Sequence, residues 1–296
     1  MPTKSMHVAD DPFIHPEQLL KERSRPALAL KLLEESAMSR AQQSVEYQKE
    51  LEEVFGDDSA SINLTPGSFE NEIDLKDVAV WIDPIDGSKA LAEGDLEHVT
   101  NLIGITVKGR PKVGIMHKPF LKNRAETRTY VGSVEAGLFY FDHSDSDSST
   151  SKPNYVPPFG ERQEELEASF KPKLCTSPSF YQQQSLMEDV IADLQPQQVN
   201  RIKGPGNKFL HLTNERSDFF LNLVPGYEMW DMAASEAIFQ SRFGILTDAK
   251  QKPLFYDKSK RSFSLWNGIV AARNSDIYFK TKERYEEKSG KTLGAT

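Results

Sequence analysis

Apolar positions are spread unevenly along this chain. They run almost without interruption over Val78–Ile82, and a short run of that kind bounded by turn residues predicts a buried strand closed by a turn over Asp83–Gly87. His98–Val107 and Lys112–Lys118 read as two further strands, joined into a hairpin by Lys108-Gly109-Arg110-Pro111. Thr127–Val131 and Gly137–Phe141 continue the strand pattern, with a turn near Gly132-Ser133. From residue 173 onward the period alternates. Strands are predicted over Lys173–Thr176, Val199–Ile202, Asp218–Val224 and Gly268–Ala272, and helices over Ser179–Leu194, Asn207–Thr213, Asp231–Phe243 and Asp276–Lys288. Such alternation argues for helices layered on sheet, an α/β (α+β) class. Pro16–Arg23 and Leu33–Val54 have helix-forming composition, but high charge and weak apolar spacing predict solvent-exposed helices there. His143–Gly160 is rich in Ser, Asp and Pro and too poor in apolar residues to pack. It predicts a joint at 143–160 between an N-terminal α+β domain, 1–142, and a C-terminal α/β domain, 161–296.

Composition narrows the partners. Length alone, at 296 residues, allows one large core or two smaller ones. The net charge of −8 and pI near 5.4 leave no general basic field to attract nucleic acid or an anionic membrane. A polyanionic ligand would need local compensation from bound metal or helix N-termini. The single cysteine, Cys175, excludes an intrachain disulfide and fits a reducing compartment; it reads as a small buried apolar residue. No stretch approaches a membrane span, and the opening MPTKSMHVADDPF lacks a signal peptide's apolar core, so a soluble cytoplasmic protein is expected.

The chemistry concentrates in WIDPIDGS, Trp81–Ser88. Asp83 and Asp86 stand three residues apart around Pro84 at the end of the apolar run. Two carboxylates this close repel unless a divalent cation neutralises them, and hard oxygen ligands suit Mg²⁺. Gly87 and Ser88 add backbone N–H groups and a hydroxyl for an anion. An ordinary turn with Pro fixing φ and a left-handed Gly87 is the alternative. Trp230-Asp231-Met232-Ala233-Ala234 supplies a third acid at the start of an apolar-periodic helix, as a metal ligand or as a helix cap.

The order WxDPxDGS followed by a distant WDxAA resembles the inositol monophosphatase superfamily. Glu93–Ile105, Gly114–Phe120 and Gly204-Pro205-Gly206-Asn207-Lys208 resemble its 3′(2′),5′-bisphosphate nucleotidase branch. The resemblance implies a layered αβαβα sandwich and a Mg²⁺-dependent, lithium-sensitive phosphatase. It assigns the metal to Asp83, the Ile85 carbonyl, Asp86 and Asp231. A further ligand would be Glu34 of Leu32-Leu33-Glu34-Glu35, where Leu33 stands in place of a glycine and an ordinary acidic helix surface is the alternative. Asp10 paired with Ser88, which replaces a threonine, would orient the attacking water. The resemblance further implies a helix before that Asp, and none is expected ahead of Asp10 here, as in a truncated or a divergent member of the family.

Substrate contacts are implied at Thr176, Ser177 and Ser179, and at Gly206, Asn207 and Lys208, where glycines let backbone approach and a helix N-terminus favours an anion. Asn207 is equally a cap. Glu228, two residues after Gly226, puts an acid where many nucleotidases carry a base. The implied reaction is hydrolysis of the 3′-phosphate of adenosine 3′,5′-bisphosphate to AMP and phosphate. An inositol polyphosphate 1-phosphatase and a catalytically weak, nucleotide-binding relative remain open alternatives, so the partner is a small phosphorylated molecule, a nucleotide bisphosphate or an inositol phosphate.

Overall fold

The computed structural model describes residues 40, 42–56, 73–121, 126–144, 153–160, 162–167, 169–180 and 183–293. The chain divides into two compact units, 1–45 and 46–296. In the first, residues 40 and 42–45 are helical, and the Ser44 hydroxyl donates to the Arg40 carbonyl at 2.8 Å. Pro16–Arg23, Asp10 and Glu34 lie outside the described residues.

The second unit holds two main sheets. Sheet 1 is an antiparallel meander of six strands: β1 (Val78–Asp86), β2 (Thr100–Val107), β3 (Arg110–Lys118), β4 (Glu126–Ser133), β5 (Gly137–Ser144) and β6 (Asn154–Val156). The β2–β3 hairpin forms as expected, but its turn is only Lys108-Gly109, both with positive φ, and Pro111 is already in β3. A two-residue turn of that hand matches the twist of the flanking strands. Within the expected joint, residues 154–156 pair with β5 and lengthen the sheet.

Sheet 2 has the order β11-β13-β9-β7-β8, from β7 (Lys173–Thr176), β8 (Gln198–Arg201), β9 (Phe219–Asn222), β11 (Ile245–Thr247) and β13 (Ile269–Ala272). β7 runs parallel to β8 and β9, while β13 is antiparallel to both its neighbours. A two-stranded ribbon joins β10 (Tyr227–Glu228) to β12 (Ser264–Leu265). The helices are α1, which enters the unit at residue 46 and ends at 55, α2 (Ser88–Ala92), α3 (Gln184–Leu194), α4 (Pro205–Thr213), α5 (Met229–Gln240) and α6 (Ser275–Ser289).

Layering follows from which residues each face buries. Tyr47, Leu51, Val54 and Phe55 of α1 pack with Met187, Val190 and Leu194 of α3 and Ile277 and Tyr285 of α6 against Leu174, Phe219 and Val270 of sheet 2. The other face of that sheet, through Phe220, Leu246 and Ala271, meets Phe209 of α4 and Met232, Ala233 and Phe239 of α5. Ala234 and Ile238 of α5 then cover Leu102, Met116 and Tyr130 of sheet 1. The described residues thus form four layers, helix, sheet, helix, sheet, in the order of the expected sandwich.

Two expectations are corrected. α1 is not a solvent-exposed helix: its apolar residues recur at i, i+4, i+7 and i+8, and all four are buried. The Tyr47 hydroxyl donates to the Gly244 carbonyl at 2.6 Å. Val78–Ile82 is not a fully buried strand either. β1 forms an edge of sheet 1 and exposes Val80 and Ile82 while burying Trp81, whose indole N–H donates to Thr106 at 3.0 Å.

The seam between α5 and sheet 1 has no room for side chains on the strand side. A Cβ on Gly104 would sit 2.5 Å from the Ala233 Cβ and 2.6 Å from the Ala234 nitrogen, and Gly114 is similarly crowded by Ala234. Gly104→Ala should therefore lose about 1–3 kcal/mol of unfolding free energy in a urea titration, the cost of overpacking a tight core. Gly160→Ala, at a position with nothing within 4 Å, should stay within about 0.5 kcal/mol.

Candidate active site

Both aspartates of WIDPIDGS come to the same side of β1 because the strand is irregular there. Asp83 is opposite Leu102 and Asp86 opposite Thr100, so three steps on β1 match two on β2. That extra residue is a β-bulge, which re-aims the following side chain. Without it, alternation would put Ile85 inward; instead Ile85 is exposed and Asp86 is buried. The strand consequently runs through Asp86 rather than ending at Ile82 as expected. The Asp83 carboxylate accepts the Ile85 N–H at 3.0 Å, and Asn101 donates to the Pro84 carbonyl at 2.6 Å, pinning the bulge. Gly87, with φ of 81°, turns the chain into α2, where Ser88 is the exposed first residue.

Asp86 is held from two directions. Its Oδ2 accepts the Thr100 hydroxyl at 2.6 Å and the Gly206 N–H at 2.8 Å. α4 opens at Pro205, two residues earlier than expected, so Gly206 lies in its first turn and Asp86 satisfies an otherwise orphaned helix donor. A Cβ on Gly206 would meet that same Oδ2 at 2.8 Å, so only glycine lets the helix come this close. The N-terminal donor expected to face a ligand thus faces a carboxylate of the protein. Burial lifts the Asp86 carboxyl to about 6, opposed by the two hydrogen bonds and aided by Asp83.

Asp231 is the third residue of α5, not its N-cap. It and Glu228 form a reciprocal capping box: Glu228 N–H donates to Asp231 Oδ2 at 2.8 Å, and the Glu228 carboxylate accepts the Asp231 N–H. Glu228 also accepts the Ser264 hydroxyl at 2.7 Å. The acid that reads in the sequence as a charge opposed to phosphate is a structural cap. Burial, reinforced by Asp86 and Asp83, raises the Asp231 carboxyl well above the ordinary range, and its protonated form hydrogen-bonds to Asp83.

Among the described residues, no three His, Cys, Asp or Glu side chains close into a ready-made metal cage. Asp83 and Asp231 meet, and Asp86 lies within Coulombic range of both. This donor set of hard, partly desolvated oxygens fits a divalent cation of the Mg²⁺ kind, which would return the raised carboxyls to their ionised form. Asp83, Asp86, Asp231 and the Ile85 carbonyl are the groups available to hold it.

The residues expected to meet substrate separate into distinct surroundings. Thr176 is buried and spends its hydroxyl on the Leu221 carbonyl at 2.7 Å. Ser177 approaches the Tyr227 hydroxyl at 3.4 Å, and Ser179 is exposed ahead of α3, which begins only at Gln184. Lys208 is buried and donates to the Tyr227 hydroxyl at 2.9 Å. Asn207 accepts from Lys118 at 2.6 Å. Neither Thr100 nor Tyr227 stands out in the sequence; the β1–β2 register, with Thr100 opposite Asp86, is the signal that finds the first.

A layered helix–sheet core with carboxylates gathered at a strand bulge and a helix start defines the class to which the comparisons also point. Residues 27–286 match the model of the inositol monophosphatase family, and the chain belongs to that family. It is 31% identical over 208 residues to rat 3′(2′),5′-bisphosphate nucleotidase 1, covering 69% of this chain and 60% of that one. The human protein of the same name is 29% identical, with the same coverage. The chain therefore spans about 60% of the length of these curated relatives. An inositol monophosphatase from Zymomonas mobilis superposes with a TM-score of 0.54 at 17% identity, over 85% of this chain and 98% of that one. CysQ from Bacteroides thetaiotaomicron, a bacterial member of the family, gives 0.52 at 19%, over 81% and 98%. These two likenesses establish the fold.

The electrostatics give a pH signature. Because the folded carboxyl of Asp86 titrates at about 6, above its ordinary 3.8, ionising it opposes folding, and that penalty grows as pH rises from about 4 through about 6. In urea titrations of metal-free protein, Asp86→Asn should gain stability relative to wild type across that window. A difference that stays flat or moves the other way contradicts the burial of this carboxyl.

Proposed function

We propose that this chain is a Mg²⁺-dependent phosphomonoesterase that removes the 3′-phosphate of adenosine 3′,5′-bisphosphate, giving AMP and phosphate. The observation that carries the reading is the convergence of Asp83, Asp86 and Asp231 from two distant segments into a partly buried acidic cluster in which the Asp86 and Asp231 carboxyls are raised. Carboxyls perturbed by burial and by one another are a physical signature of functional sites. Names of the relatives, nucleotidases of rat and human among them, support the substrate class.

A bound divalent ion would supply Lewis-acid stabilisation of the phosphate oxygens and a more acidic water. The chain's own groups do the positioning. Thr100 and the Gly206 N–H fix the Asp86 rotamer, while the Glu228 capping box fixes Asp231. Ser88, exposed at the start of α2, offers its hydroxyl to the attacking water, in partnership with Asp10 in this reading. Ser lacks the methyl that would restrict this rotamer, so the hydroxyl is held less tightly than a threonine's.

Phosphate release from adenosine 3′,5′-bisphosphate is expected with Mg²⁺ and should fall on adding Li⁺. Asp83→Asn and Asp231→Asn should each lower kcat by about 10²-fold or more, the usual scale for losing an electrostatic group at a reacting centre. Absence of metal-dependent release by folded protein rejects the enzyme reading. Faster release from inositol 1,4-bisphosphate would reassign the substrate to the inositol polyphosphates.

A further inference from the structure

Beside the first turn of α4 lies a cavity of about 540 Å³. Successive residues of α4 face the two places: the Gly206 N–H points to Asp86, and Asn207 lines the cavity. Its wall carries three cationic side chains, Lys118, Arg128 and Arg216, against one carboxylate, Glu97. That balance is unusual in a chain of net charge −8.

The donors there are incompletely used. Asn207 is 7% exposed, and its Nδ2 is buried with no hydrogen-bond partner among the described residues. That nitrogen is shut off from the cavity, and the part of Asn207 the cavity-lining lysine meets is its Oδ1. Lys118 donates to the Asn207 Oδ1 at 2.6 Å and to the Glu97 carbonyl at 2.5 Å, which leaves one of an ammonium's three donors. The guanidinium of Arg216 has no hydrogen bond or ion pair among the described residues. Arg128 differs, being held by Asp142 at 2.5 and 2.8 Å and stacked 4.1 Å over Tyr140, and so forms a fixed rim. Burial pushes the Lys118 ammonium down to about 8, with the Glu97 and Asp86 charges opposing the shift and Arg216 adding to it. Burial likewise pushes the His211 imidazole to about 4, with further pressure from Arg216 and His98. Both imidazoles already have partners, His98 bonding to Asp95 at 2.8 Å and His211 to Ser217 at 2.9 Å.

One flank is apolar, formed by Phe120, Leu121 and Leu210. A volume of this size accommodates a small organic ligand with a charged end. We propose that the cavity is a second ligand site, which takes a small phosphomonoester with its phosphate between Lys118 and Arg216 and its body against Phe120 and Leu121. Phosphate oxygens accept from lysine and guanidinium donors together, and such charge-assisted bonds are the strong ones. The site neighbours the acidic cluster, since Asp86 lies within Coulombic range of Lys118, but its cationic side chains are distinct from the three carboxylates.

The test is calorimetric titration of the full chain with AMP in EDTA, alongside adenosine and inorganic phosphate. Wild type should bind AMP saturably and adenosine not at all, with inorganic phosphate competing. Arg216→Glu, an exposed change that spares the core, should weaken AMP about tenfold or more, and Lys118→Met should do likewise. Asp83→Asn should leave the affinity within about twofold. The site is overturned if wild type shows no saturable binding at millimolar AMP, if Arg216→Glu with an unchanged circular dichroism spectrum binds as wild type does, or if Asp83→Asn is the variant that abolishes binding.

Discussion

The close approach of α5 to sheet 1 is the constraint on which the rest depends. At Gly104 and Gly114 the strands offer no side chain, and Ala233 and Ala234 of the helix fill the space. Close packing of this kind leaves little freedom to slide or tilt. Asp231 lies two residues before that seam, on the first turn of α5, and β1 is locked to β2 by its ladder of hydrogen bonds. The distance between the Asp231 carboxyl and those of Asp83 and Asp86 is therefore set by backbone packing rather than by flexible side chains. A site that holds like charges together needs such a frame, because nothing in their mutual interaction favours it.

α4 couples this frame to its surroundings. Its first turn gives a backbone donor to Asp86, and the side chain of the next residue meets Lys118 and the cationic cavity. One more turn is unnecessary to separate an acidic cluster from a basic one; adjacent positions on a helix already point about 100° apart. Lys208, a further residue along, is drawn to the Tyr227 hydroxyl and lies 5.0 Å from its ring, which keeps its charge buried between α4 and the ribbon that leads into α5. Three consecutive side chains or donors thus serve three environments.

Much of this was readable from residues alone, and the gaps have physical causes. Periodicity located every α-helix described from residue 173 on, with starts displaced where non-periodic residues open the helix: Gly204 and Pro205 for α4 and the Glu228 box for α5. WIDPIDGS announced two carboxylates, but only the pairing register shows that a bulge is what turns both inward. The burial of α1 was concealed because four apolar residues are set among many charges, and a narrow stripe is enough when two other helices and a sheet meet it. Glu228 looked like a charge in the wrong place, since a reciprocal cap depends on three-dimensional geometry that a charge count does not carry. Asp10 and Glu34 rest on resemblance alone, as both lie outside the described residues.

The account turns on Asp83, Asp86 and Asp231 acting as one cation-binding group. Diffraction from crystals of the full chain soaked in Mn²⁺, recorded at a wavelength where manganese scatters anomalously, tests that directly. The account predicts an anomalous peak in contact with carboxylate oxygens of all three residues. Peaks confined to other parts of the molecule, with these three side chains ordered and bare, would contradict it.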